Sequence, residues 1–106
     1  MIKQILTASG FIEGKTFKET RFIKPPKETY VIYLDSFTSR GADNLNLIKD
    51  HSYTIELYSD TPDPEAEGRI EKILDTFGLE YEKSERYWIQ SEQLYQIVYD
   101  FNFIEK

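Results

Sequence analysis

Hydrophobic and polar positions along the 106-residue chain change period several times, and each change predicts an element. Ile2, Ile5 and Leu6 share one face of a short helix over Met1 to Ala8, which Gly10 would close as its capping glycine. Residues 11–27 keep no period. Gly14 and the Pro25-Pro26 pair argue against a long helix there and leave a strand or extended arm ending at the prolines. Thr29 to Asp35 (TYVIYLD) is dense in β-branched and aromatic residues, apolar on both faces, and predicts a central strand. Ser39 to Asn44 is turn chemistry. A second strand then runs from about Leu45 to Asp60, bulged or broken near Asp50-His51. In its later half Tyr53, Ile55 and Leu57 alternate with Thr54, Glu56 and Tyr58.

The period then changes to that of a helix. Asp63 is placed as N-cap and Pro64 as first helical residue, with Glu65 and Glu67 in the electropositive first turn. Ala66, Ile70, Ile73, Leu74 and Phe77 form one apolar stripe, and Gly78 ends it. Leu79 to Lys83 and Tyr87 to Gln90 read as one strand with an irregularity, and Ser91-Glu92 turns the chain. Residues 93–104 alternate most clearly: Tyr95, Ile97, Tyr99, Phe101 and Phe103 share a face. That face is more than one helix covers, so either the N-terminal helix shares the work or another chain does. The predicted order is α–β–β–β–α–β–β. It gives an α+β fold: a small, mostly antiparallel sheet with one long and one short helix packed on one face. The expected organisation is a single domain, 1–106, with a mobile basic segment at 11–27.

Composition narrows the chemistry. The chain is 40% hydrophobic and 30% charged, a folded composition, and no apolar run approaches the ~20 residues of a membrane span. Met1-Ile2-Lys3-Gln4 lacks the apolar core of a signal peptide. Zero cysteines remove disulfides and thiolate sites, and the single histidine, His51, removes multi-histidine metal sites. No phosphate-binding loop and no nucleophile elbow occurs. Asp43-Asn44-Leu45-Asn46 lacks the glycine and glutamate of a calcium loop, where Ile48 and Thr54 stand instead. Asp50, His51 and Glu56 can be drawn as an acid–base set, but a lone histidine beside an aspartate is more simply a turn or surface residue. Asp60 and Asp63 are explained by capping. The reading is a non-enzyme with no catalytic, cofactor or metal residues.

Charge carries more information. Residues 1–30 hold six bases and three acids, and the remainder seven bases and sixteen acids. A positive segment on a negative body suits head-to-tail assembly of copies. Lys15, Lys18, Arg21, Lys24 and Lys27 recur every three residues with Phe17 and Phe22 between them, a spacing that also suits nucleic acid. The net charge of −6 ranks a protein partner above DNA. Glu65, Glu67 and Glu71 on the long helix are the opposing acids, and Tyr87 and Trp88 are candidate anchors, with a core role the competing reading for Trp88. The candidate assembly interface is therefore Lys15, Lys18, Arg21, Lys24, Glu65, Glu67, Glu71, Tyr87 and Trp88.

Five stretches in order carry a resemblance: Pro25-Pro26 followed by YVIYLD (Tyr30 to Asp35), YTIELYSD (Tyr53 to Asp60), Asp63-Pro64-Glu65, Tyr81-Glu82-Lys83, and EQLYQIVY (Glu92 to Tyr99). Together they resemble the small tail-completion and head–tail joining proteins of long-tailed bacteriophages and prophages of Gram-positive hosts. The resemblance implies a virion part related in fold to tail terminators, found in the virion and, during assembly, in the host cytoplasm. Such proteins form a ring, often a hexamer, that caps the tail tube and docks it to the head. The implied partners are further copies, tail-tube proteins and head–tail connector proteins, with DNA passing through the lumen unbound. It brings no catalytic residues. The sequence departs from the family in its longer basic stretch, Thr16 to Lys24. The alternatives are a small acidic DNA mimic that inhibits a host nuclease, which needs paired rows of carboxylates, and a small enzyme built on Asp50, His51 and Glu56.

Overall fold

The structure is a computed structural model that describes residues 1–40 and 48–105, with side chains described for 1–36 and 52–103. Of the turn expected at Ser39 to Asn44, Ser39 and Arg40 instead continue the preceding strand, opposite Lys49 and Ile48, because ladder pairing overrides their local turn preference. Residues 41–44, the calcium-loop stretch within 43–46 and the proposed strand start at 45–47 lie outside the described residues. The elements are α1 (Ile2–Ala8), β1 (Phe17–Glu19), β2 (Tyr30–Arg40), β3 (Ile48–Ser59), α2 (Pro64–Thr76), β4 (Tyr81–Lys83), β5 (Tyr87–Ile89) and β6 (Leu94–Glu105). They form an α+β fold. One sheet has the order β1-β2-β3-β6-β4, with β5 also on β6. β1 runs parallel to β2 and every other pairing is antiparallel.

Register explains the core. Val31, Leu57 and Ile97 stand side by side across β2, β3 and β6, and the next row on the same face is Tyr33, Ile55 and Tyr99. All six are buried, as are Tyr53 and Phe101 one row further. Both helices cover this face: α1 contributes Ile2, Ile5 and Leu6, and α2 contributes Ala66, Ile70 and Leu74. The short helix thus shares one core with α2 and the sheet, and the central residues of β6, Ile97, Tyr99 and Phe101, are buried in it. The opposite face carries Tyr30, Ile32 and Leu34 beside Tyr58, Glu56 and Thr54 and has no helix on it among the described residues.

The helix ends follow local chemistry. Asp63 caps α2 by accepting the Ala66 N–H at 3.1 Å, and its other oxygen accepts the Thr29 hydroxyl at 2.7 Å, tying the cap to the start of β2. Gly10 and Gly78, at φ +96° and +69°, end the two helices in left-handed backbone that a side chain would strain. Each is followed by a residue whose N–H returns to the last turn, Phe11 to Leu6 and Leu79 to Leu74.

Two expectations are revised in detail. The β2–β3 ladder runs without interruption through Phe37↔His51 and Thr38↔Asp50, so no bulge or break occurs near Asp50-His51. The segment read as one irregular strand is two short ones on the same edge of β6. Lys83 stands opposite Tyr99 and Tyr87 opposite Gln96, so four steps on one side face three on the other, an extra residue like that of a bulge. Ser84 Oγ accepts the Val98 N–H there at 2.9 Å, so a side chain fills the ladder position.

Candidate functional site

The sheet order puts the two charged regions at opposite edges. β1 forms one edge. Phe17 is fully buried and makes a tilted ring contact with Tyr33, at 6.2 Å between centroids, so it anchors the edge and cannot stack a base. Around it Lys15, Lys18, Arg21 and Lys24 are exposed and form no ion pair among the described residues. Thr20, at φ +70°, turns the chain out of the strand. Phe22 folds back edge-on against Tyr30, at 5.5 Å, while Ile23 is left 81% exposed.

The other edge is β4 and β5. Here Glu67, although on a helix and charged, is 7% exposed at its side chain. It accepts Lys83 Nζ and Arg86 Nε at 3.0 Å each, and Lys83 also reaches Glu71 at 2.8 Å. The Tyr99 hydroxyl donates to Glu71 at 2.7 Å. Burial alone would raise the Glu71 carboxyl, but hydrogen bonds from Lys83 and Tyr99 hold it below its ordinary value. The same contact with Glu71 raises Lys83, and burial and the bond to Glu71 push the Tyr99 phenol far up. These groups form one polar bolt between α2, β4 and β6. Each buried charge is paired, the condition for tolerating it.

The sequence-derived candidates therefore divide. Lys15, Lys18, Arg21 and Lys24 gather on the β1 edge. Glu67 and Glu71 face inward and meet Lys83 and Arg86, while Glu65 pairs with Arg69 at 2.9 Å. Tyr87 lies on the open face, 64% exposed. Trp88 lies outside the core cluster, packed on the Tyr95 ring at 4.8 Å with its N–H donated to Gln90. The backbone of Asp50 and His51 sits inside β3, and their side chains lie outside the described residues.

Sequence reasoning missed the free carboxylates of the acidic edge: Glu80, Glu82 and Glu85 are exposed and form no ion pair among the described residues. The signal was present, because a strand at Leu79 to Lys83 puts residues 80 and 82 on one face. Glu82 stands directly opposite Asp100 on β6, two like charges side by side. Beyond this pair lies an open groove of about 550 Å³, lined by Leu79, Tyr81 and Phe101 together with Glu80, Glu82 and Asp100. β4 stops at Tyr81 opposite Phe101, whereas β6 continues to Glu105, and no described strand covers that edge past Phe101.

No described helix is long and apolar enough to cross a membrane, and no cluster of three or more potential metal ligands occurs among the described residues. No protein-family model matches the chain, and no curated protein is significantly similar to it.

Proposed function

We propose that this chain is a non-enzymatic virion part that completes a phage tail and joins it to the head by assembling as a ring. One observation carries the reading: two edges of a single sheet, at its opposite ends, bear an excess of exposed charge of opposite sign. Lys15, Lys18, Arg21 and Lys24 outnumber Glu19 at one, and Glu80, Glu82 and Glu85 stand at the other, none of these seven excess charges ion-paired among the described residues. A ring needs a heterologous interface, in which each copy offers two different and complementary patches, and these edges meet that need. β1 and β4 are only three residues long, so a neighbour's edge has room to approach either. The resemblance along the strands and the α2 cap supplies the virion context.

The acidic inhibitor is the weaker reading. A phosphate mimic needs long paired rows of free carboxylates. On α2 Glu65, Glu67 and Glu71 are neutralised within the chain and Asp63 serves as cap, which leaves the short β4 row of Glu80 and Glu82 with Glu85. The test is light scattering across a wide concentration range, with negative-stain microscopy of any large species. Closed rings that dissociate as salt rises are expected. A monomer at every concentration, together with tight binding to a nuclease, would instead establish the inhibitor.

A further inference from the structure

The groove beside β4 and the loop after β1 differ in chemistry in the way that a socket and its insert do. The loop residues Arg21 to Lys24 hold Ile23, the most exposed of the large hydrophobic side chains described, at 81%. Cations flank it on both sides, at Arg21 and Lys24. An isoleucine so exposed gains little from its own chain and would gain on transfer to an apolar site. The groove has apolar members in Leu79, Tyr81 and Phe101 and carboxylates in Glu80, Glu82 and Asp100. Its volume of about 550 Å³ falls within the ~300–1,000 Å³ range of clefts that take small ligands. Past Phe101 no described strand lies on this edge of β6, which leaves room for an arriving segment. Cations arriving there would also relieve the Glu82–Asp100 repulsion.

Loop and groove belong to opposite ends of the sheet, so one copy cannot fill its own groove. We infer that the groove lined by Leu79, Tyr81 and Phe101 receives residues 21–24 of a second copy, with Ile23 inserted and Arg21 and Lys24 against Glu80, Glu82 and Asp100. This rests on the ring reading and identifies the contact that would propagate it.

The chain has no cysteine, which gives a clean test. Ile23→Cys and Glu80→Cys proteins, one carrying a mass tag, are mixed in equal amounts and oxidised. The mixed disulfide should exceed the share that random collision gives, and a random share or less overturns the inference. A second arm reverses charge. Arg21→Glu/Lys24→Glu and Glu80→Lys/Glu82→Lys should each weaken self-association on the order of tenfold, and mixing the two should restore it. Circular dichroism verifies that each variant is folded. Wild-type-like rings from the Glu80→Lys/Glu82→Lys protein would remove the groove and leave the ring reading standing. A wild-type protein that never self-associates would remove both.

Discussion

The edge strands β1 and β4 are equally short and each sends one aromatic side chain inward, but only β4 adds buried charge. β1 is fastened by one aromatic side chain: Phe17 is fully buried and its neighbours Lys18 and Glu19 face water. β4 adds charge to its apolar contact. Tyr81 packs on the core and edge-on to Tyr99 at 5.8 Å, and Lys83 bridges Glu67 and Glu71 of α2, while Tyr99 on β6 contacts the same Glu71. Apolar anchorage is indifferent to pH and strengthened by structure-making salts, whereas a paired charge holds only while both partners keep their protonation state. The lesson is that a narrow edge strand needs a side chain that reaches inward, and that the choice of side chain decides which conditions loosen it.

The largest expected effect breaks the apolar edge. Phe17→Ala should cost about 3–5 kcal/mol, the range for emptying a buried phenylalanine site, read as a lowered denaturation midpoint. Next comes the charged edge. Lys83→Met with Arg86→Met strands the Glu67 carboxylate in a buried site and should cost about 3 kcal/mol. Adding Glu67→Leu should recover much of that loss, because an apolar replacement removes the orphaned charge. If the triple variant were no more stable than the double, the carboxylate would not be the source of the cost.

A smaller effect concerns pH. Glu71 is held below its ordinary value in the folded chain, so its contribution is complete above about pH 4.3 and disappears as pH falls through the lower folded value. Lys83 is raised, so its contribution is complete below about pH 10.4 and disappears as pH rises through the higher folded value. Hydrogen exchange should therefore show β4 loosening at both extremes. Glu71→Gln should remove this acid sensitivity at a cost of about 1 kcal/mol at neutral pH. Smallest is the change in folding stability for Glu80→Lys/Glu82→Lys, expected within about 0.5 kcal/mol because both positions are exposed. A larger loss would place those carboxylates in the fold and not at its surface.

Much of this comparison was legible in the residues, and the missing parts share a cause. The two helices, the Asp63 cap and the alternation of β3 and β6 follow from local period and composition, and they stand as read. β2, by contrast, runs on past Asp35 to Arg40 through residues that read locally as the start of a turn. β1 was read only as a strand or arm, because its three residues pair in parallel with Val31 to Tyr33 and nothing local announces a parallel partner. The split between β4 and β5 was visible as an irregularity, but not the use of the Ser84 hydroxyl in place of a backbone group. Glu67 looked like a first-turn helix acid facing solvent. Its burial depends on cations 16 and 19 residues away in sequence, at Lys83 and Arg86, so no window on α2 alone could show it. The free carboxylates at 80 and 82 were within reach of the strand period and were masked by the richer acid count of the helix.

Gly10 carries one more consequence. The Arg69 side chain of α2 donates to the Ser9 carbonyl at 2.9 Å and lies over the Phe11 ring, and an added methyl at position 10 would sit 3.4 Å from its Nε. Arg69 thus joins α2 to the exit of α1 through Ser9 and Phe11, on either side of the glycine. Space at position 10 is therefore not what demands glycine: the backbone at φ +96° is, so Gly10→Ala should loosen the exit of α1 to the same extent whether Arg69 is present or replaced by methionine.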